Sequence, residues 1–434
     1  MSNFVTPGHY KLLTAVMTTE AGNTVDMVSI IPVFSIEESK DNDSLRGTAL
    51  VYDNIGVLED LPIRGEETLE LTVEDALGKK LTYTMSIYKI TDIEMKTNND
   101  GLRYRIHLVS KSRFDAGSRK IITPYEDTIS NIAKDVFSRY YKENTKDFLL
   151  EDTEGLFRCI IPNYTPMQTM NFLSSRAYSS KSPSCSFRFF ETAENYYFVS
   201  DEYLIKRFVE KPQDIKEFTY GSAVDKSGAN FIEQMKNIIT LRNSERVNTI
   251  MDLVSGAYKS NVIEIDLIKR QVTLPGKSTK FEYDYDEAKK NYMSISGRGE
   301  TEDVHSKEFT ERYFTRENEK RYIVIRDYDD SGTAQLRGDQ FVPEIITNRT
   351  AYRHHLNNTV TNITINGRLD VNAGDVINLK LLAFNSAQDG TLNKQLAGNY
   401  LVNNLTHSFD KDIHQTTLKL VKYDWSTKEW EIQA

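Results

Sequence analysis

The feature that most constrains the fold is an internal repetition. From Gly398 to Asp424 the chain reads GNYLVNNLTHSFDKDIHQTTLKLVKYD. Tyr400, Val402 and, after a one-residue slip, Leu405 alternate with polar residues on the way in; Thr416, Leu418 and Leu420 do so on the way out. Between them sits the charged Asp410-Lys411-Asp412. Period-two alternation broken by charged turn residues predicts a β-hairpin. A second copy lies 312 positions earlier, at Ser86–Lys111. There Tyr88 falls under Tyr400, Ile90 under Val402 and Ile93 under Leu405. Asn98-Asn99-Asp100 falls under the turn, and Ile106, Leu108 and Val109 fall under Leu418, Leu420 and Val421, with no gap. Each copy follows a Gly-acid turn that opens a strand. Gly65-Glu66 precedes Leu69, Leu71 and Val73; Gly374-Asp375 precedes Ile377, Leu379 and Leu381, at an offset of 309. One β-module is therefore expected twice, with Glu66–Val109 and Asp375–Val421 sharing a fold. The competing explanation is that all hairpins look alike, so the weight rests on the shared register.

At 434 residues the chain has room for about three domains. A net charge of −9 argues against a sequence-independent grip on nucleic acid phosphates. No apolar run reaches the roughly 18 residues of a membrane span, and the first residues show neither a basic region nor an apolar one, so neither a span nor a secretory signal is expected. Cys159 and Cys185 are expected to be reduced and buried. The 24 tyrosines and 20 phenylalanines suit β-sheet surfaces and interfaces.

Residues 1–113 read as strands nearly throughout and predict a first antiparallel β-barrel, with Ser39–Ser44 as a polar turn. Residues 114–212 predict an α+β domain of two Pro-capped helices and a hairpin. Thr123-Pro124-Tyr125-Glu126 and Thr165-Pro166-Met167-Gln168 are the helix starts: Thr caps, Pro occupies a position where its missing N–H costs nothing, and the Glu or Gln can close a capping box. Phe187–Phe190 and Tyr196–Val199 form the hairpin. Residues 213–255 and 355–424 are assigned to a second, split β-barrel, with Ser244–Val254 read as a helix. Residues 256–354 are assigned to an inserted α+β domain, with strands at Asn261–Val272 and Arg321–Arg326, a turn at Asp329–Gly332 and a helix from Ile345 to Asn358. Residues 425–434 form a C-terminal tail. The fold class is thus α+β and β-rich, with two similar barrels and two smaller α+β domains.

Chemistry is sought and not found. There is no Gly-rich phosphate loop and no GxSxG elbow. His354 and His355 are adjacent and diverge on a helix, so they do not make a metal pair. His407 and His414 flank the main turn and could approach one another, but read as solvent-facing strand positions. Asp284 with Asp286, and Asp327 with Asp329 and Asp330, lie in charged loops that fit solvated turns better than buried acids. The RGD triplet at Arg337–Asp339 is too short to carry weight. The expectation is no catalytic residue, no cofactor-binding residue, no metal ligand, no cofactor and no enzymatic activity.

Taken in order, the Gly-acid strand and hairpin, the capped helices with RFFETAENYYFVS, and the closing RLDVNAGDVINLKL and GNYLVNNLTHSFDKDIHQTTLKLV resemble the baseplate hub protein of contractile-tailed, T-even-like phages. That family is in turn similar to the late-control D family and to the hub part of type VI secretion spikes. The resemblance spans most of the chain and is weakest over Gln213–Lys320. It implies a homotrimer whose six barrels form a pseudo-sixfold ring, adapting the sixfold tail tube to the threefold cell-puncturing spike and letting DNA pass. The partners it implies are the spike, the tube or tube-initiator proteins and the tape measure protein, with no specific nucleic acid binding. The location is the virion tail baseplate, after synthesis in the bacterial cytoplasm. The alternative is a β-rich glycan-binding or glycan-degrading protein with tyrosine platforms; an enzyme of that kind needs two carboxylates across a cleft, whereas the acids here cluster in loops.

Overall fold

A computed structural model describes residues 6–60, 63–95, 101–141, 146–181, 185–220, 231–245, 248–255, 259–266, 270–273, 282–284, 307–313, 320–326, 342–357, 359–382, 392–393 and 396–423. The turn expected at Asn98–Asp100, the one at Asp329–Gly332, the RGD triplet, Asp286, Asp327 and the tail lie outside them. The chain is β-rich, with helices set against one large, mainly antiparallel sheet.

The first module contains β1 (Tyr10–Thr18), β2 (Thr24–Asp26), β3 (Val33–Ser39), β4 (Arg46–Asp53), β5 (Thr68–Asp75), β6 (Lys80–Met95) and β7 (Leu102–Ser110). They pair in the order β2-β1-β5-β6-β7-β4-β3. Alternation drives this: Leu69, Leu71 and Val73 of β5 and Tyr104, Ile106 and Leu108 of β7 point inward and are fully buried.

The α+β unit follows, with β8 (Pro124–Asp127), β9 (Asp147–Leu150), β10 (Phe157–Ile160), β11 (Phe187–Glu191) and β12 (Asn195–Ser200). One expected helix start is corrected here. Pro124–Asp127 is a strand paired with β10, and Thr123 accepts a hydrogen bond from Ile161 N at 3.0 Å. Proline is tolerated at the first residue of a strand as well as of a helix, and tertiary pairing decides which. The helix begins at Ile129, capped by Thr128, whose side chain accepts from Asn131 N. The second start stands: Thr165 caps Pro166–Ser174, and Gln168 completes the capping box. The hairpin β11–β12 pairs Phe189 with Phe198 and Phe190 with Tyr197. A further helix, Asp201–Glu210, is capped by Ser200, a signal unread in the sequence.

The remaining strands are β13 (Lys216–Tyr220), β14 (Ile238–Glu245), β15 (Lys259–Asp266), β16 (Gln271–Thr273), β17 (Glu282–Asp284), β18 (Lys320–Arg326), β19 (Val360–Asn366), β20 (Val376–Leu381), β21 (Gly398–Asp410) and β22 (Ile413–Lys422). β15 to β18 form a separate sheet, beside which helix Val342–Asn357 runs. The helix expected from Ser244 is shorter, Thr249–Ser255, because Ile238–Glu245 is drawn into an antiparallel ladder with β19. The second module pairs in the order β13-β20-β21-β22-β19-β14.

Six strands of each module hold matching places: β1-β5-β6-β7-β4-β3 against β13-β20-β21-β22-β19-β14. The outgoing arms correspond at the expected offset of 312, but the incoming arms do not. Ile87 faces Leu108 and Ile90 faces Ile106, where Val402 faces Leu420 and Leu405 faces Leu418. The incoming offset is therefore 315, and the bulged residue Tyr88 matches the bulged Asn403. A gap-free alignment hides this, because the compensating length is split between one residue in a second β6 bulge and two between Met95 and Leu102. Glu67, not Glu66, is the counterpart of Asp375: Glu67 O accepts from Ile87 N at 2.9 Å and Asp375 O from Val402 N at 2.8 Å. One difference remains, since β1 runs antiparallel to β5 whereas β13 runs parallel to β20.

Candidate functional site

The two modules are fused edge to edge. β3 pairs antiparallel with the outer half of β21, from Asn404 opposite Ser39 to Asp410 opposite Val33, which makes one 13-stranded sheet. At its centre Phe34 and Phe409 stack with ring centroids 4.3 Å apart, Tyr10 lies 4.9 Å from Phe409, and His414 stacks on Phe409's ring at 4.2 Å. The tip of the second hairpin is also gripped by the start of the chain, where His414 N donates to Gly8 O at 2.6 Å and Lys411 N to Pro32 O at 2.9 Å.

His407 and His414, expected at the surface, are fully buried in this joint. Strand position places them on one face, and there Gly367 and the Tyr10 ring come against His414. His407 Nδ1 lies 3.0 Å from His414 Nε2 and 3.1 Å from Thr416 Oγ1. Burial pushes His407 down to about 3 and His414 well below its ordinary value, so both rings are neutral at physiological pH. One ring nitrogen of the pair donates to the other.

Polar residues lock the α+β unit onto the same joint. The buried Glu38 carboxylate accepts from Ala193 N at 2.7 Å and from Ala373 N at 3.1 Å, tying β3 to the β11–β12 turn and to the strand entry of the second module. Burial raises its carboxyl to about 7, although the two N–H donors and Lys146 oppose the rise. The polar turn Ser39–Ser44 is partly buried: Ser39, Lys40 and Ser44 are buried and Asp41 is exposed. Lys40 Nζ lies 2.8 Å from Asp201 Oδ1, and Arg188 lies against both Asp201 and Asp41. Burial alone would raise Asp201, but Lys40 and Arg188 outweigh it and hold the carboxyl below its ordinary range. These charges are buried because they are paired.

Among the open edges of the fused sheet in the described residues, two hold places in the modules that correspond to β3 and β21. β14 is a terminal strand, and beyond Ile87 the outer edge of β6 has no partner. Both strands carry exposed apolar side chains: Ile239 on β14, and Tyr88, Ile93 and Met95 (71% exposed) on β6. Among the described residues no group of three or more His, Cys, Asp or Glu could hold a metal ion, and no helix is long and apolar enough to cross a membrane. Cys185 is buried as expected, Cys159 only partly, and neither forms a disulfide.

No family model matches the chain, and no curated protein matches it. Solved structures do. A tail protein from Neisseria meningitidis MC58 matches with a TM-score of 0.53 at 11% identity, covering 96% of this chain and 98% of that one. The 43 kDa tail protein of prophage MuSo2 from Shewanella oneidensis matches with a TM-score of 0.51 at 11% identity, covering 95% and 98%. The chain has the fold of these tail proteins. Coverage of nearly the whole of both partners means that the two modules and the units between them belong to that fold together.

Proposed function

We propose that the protein is a structural component of a phage tail baseplate, a hub of three copies whose six modules form a pseudo-sixfold ring. The observation that carries this is the doubled module: strands in matching order, fused into one sheet, within the fold of tail proteins. A duplicated module in a trimer can meet a sixfold tube on one face and a threefold spike on the other. In this reading the partners are tail tube or tube-initiator proteins, the cell-puncturing spike and the tape measure protein, and the location is the virion. A net charge of −9 suits a passage through which DNA must slide without being held. The role is non-enzymatic, and the buried histidines and acids serve to join modules.

Light scattering on the purified chain, with class averages viewed down the symmetry axis, tests the reading. A mass of three 49.9 kDa chains and a six-lobed ring are expected. A monomer at every concentration, with spike and tube proteins present, would overturn it. So would turnover on peptidoglycan that a single Asp or Glu substitution abolishes.

A further inference from the structure

The intrachain joint has an unfilled counterpart. β3 and β14 hold the same place in their modules, as do β6 and β21. The ladders fix the correspondence residue by residue. Glu94 faces Arg103 where Ser408 faces Gln415, and Met95 faces Leu102 where Phe409 faces His414. On the other strands, Ser35 faces Thr48, which faces His107; Arg242 faces Asn362, which faces Lys419. His107 and Lys419 correspond, so Arg242 stands where Ser35 stands, and Leu241 where Phe34 stands. Within the chain Ser408 pairs with Ser35 and Phe409 with Phe34. The matching pair on the open edges is Glu94 with Arg242 and Met95 with Leu241.

We propose that β14 of one copy adds antiparallel to the outer half of β6, Lys89–Met95, of a second copy, with Arg242 opposite Glu94 and Leu241 opposite Met95. This rests on the hub reading and names the surface that would close the ring. The two edges belong to different modules, and the flanks between those modules are already used by the β3–β21 joint, so the occupant is another copy. Repetition of such a heterologous contact generates a ring when the rotation closes. Unpaired N–H and C=O groups along both edges would find partners, as they do within the chain. Charge agrees, since Arg242 is exposed and Glu94 carries an acid at the facing position, where it now meets Arg103 at 3.2 Å. The exposed Met95 would gain the apolar neighbour that Phe409 has in Phe34. β6 also carries a bulge without counterpart in β21: the ladder slips between Thr91 and Glu94, with Asp92 at φ 55°. A bulge bends an edge strand and guards it against indiscriminate pairing.

Disulfide capture tests the register. Directly opposed residues of an antiparallel pair have Cα atoms about 4.5–5.5 Å apart, within the range a disulfide spans. In a Cys159→Ser background, Glu94→Cys and Arg242→Cys are prepared as separate single variants, mixed at the highest soluble concentration and oxidised. A mixed disulfide between the two variants, exceeding by at least tenfold any dimer of either alone, is the expected result. Ser35→Cys with Ser408→Cys in one chain is the positive control and should close without linking chains. Mass in solution is measured in parallel without oxidant. Three-chain particles that yield no mixed disulfide would overturn this pairing and leave the hub reading standing. A chain that stays monomeric with spike and tube proteins present, and yields none, would overturn both.

Discussion

At the scale of single residues, several buried charges lie where units meet. Glu38 joins three segments far apart in sequence through two backbone donors, at Ala193 and Ala373. Its carboxyl rises from 4.5 to about 7 on burial, so the folded protein holds that proton more tightly than the unfolded chain. Where the folded state binds more protons, stability falls as pH rises. Glu38 therefore contributes a loss of stability between about pH 4.5 and 7 that levels off above. Glu38→Gln removes this dependence. Denaturant titrations should show the wild type's advantage over the variant greatest at and below about pH 4.5 and smaller by up to about 3 kcal/mol at pH 8. An advantage that is constant across the range would mean that Glu38 does not titrate there.

At the scale of elements, β22 and the turn after β19 interlock through a missing side chain. Gly367 N donates to His414 O at 2.8 Å, and a Cβ on Gly367 would stand 2.0 Å from the His414 ring. Glycine is required here by close approach, and His414 cannot move aside because Phe409 stacks on it and His407 bonds to it. Gly367→Ala should cost about 1–3 kcal/mol, the usual cost of overpacking a filled interior. Adding His414→Ala should recover part of that loss, since residues in contact are not additive. Denaturant midpoints of the two single variants and the double variant decide it; strict additivity would refute the interlock.

At the scale of the whole molecule, the fused sheet predicts that the modules respond together. Phe409 belongs to β21 of the second module, but its ring packs on Phe34 and Tyr10 of the first. Phe409→Ala should cost about 3–5 kcal/mol, as truncation of a buried aromatic generally does. Amide exchange should quicken in β4 and β5 as well as in β19 and β22. Faster exchange confined to the second module would show that the β3–β21 ladder couples nothing.

Much was legible before any coordinates. Alternating apolar residues identified both hairpins, and in the structure Leu69 and Leu71 match Ile377 and Leu379, one residue off the 309 spacing of the Gly-acid turns. The box at Thr165 and Gln168 marked its helix because cap and backbone lie within one turn of each other. Such signals are local, and local sequence determines them. What tertiary structure decided is long-range. Pro124 begins a strand because β10 lies beside it; the incoming hairpin arms shift by three residues because bulges and turn length are set by pairing. His414 is buried where Gly367 and Tyr10, distant in sequence, come against its ring, and Lys40 where Asp201 comes to meet it. The sequence alone determined that the chain carries one β-module twice. That the copies fuse edge to edge through β3 and β21, leaving one matching edge open on each, was decided by contacts between residues hundreds of positions apart, which no local periodicity encodes.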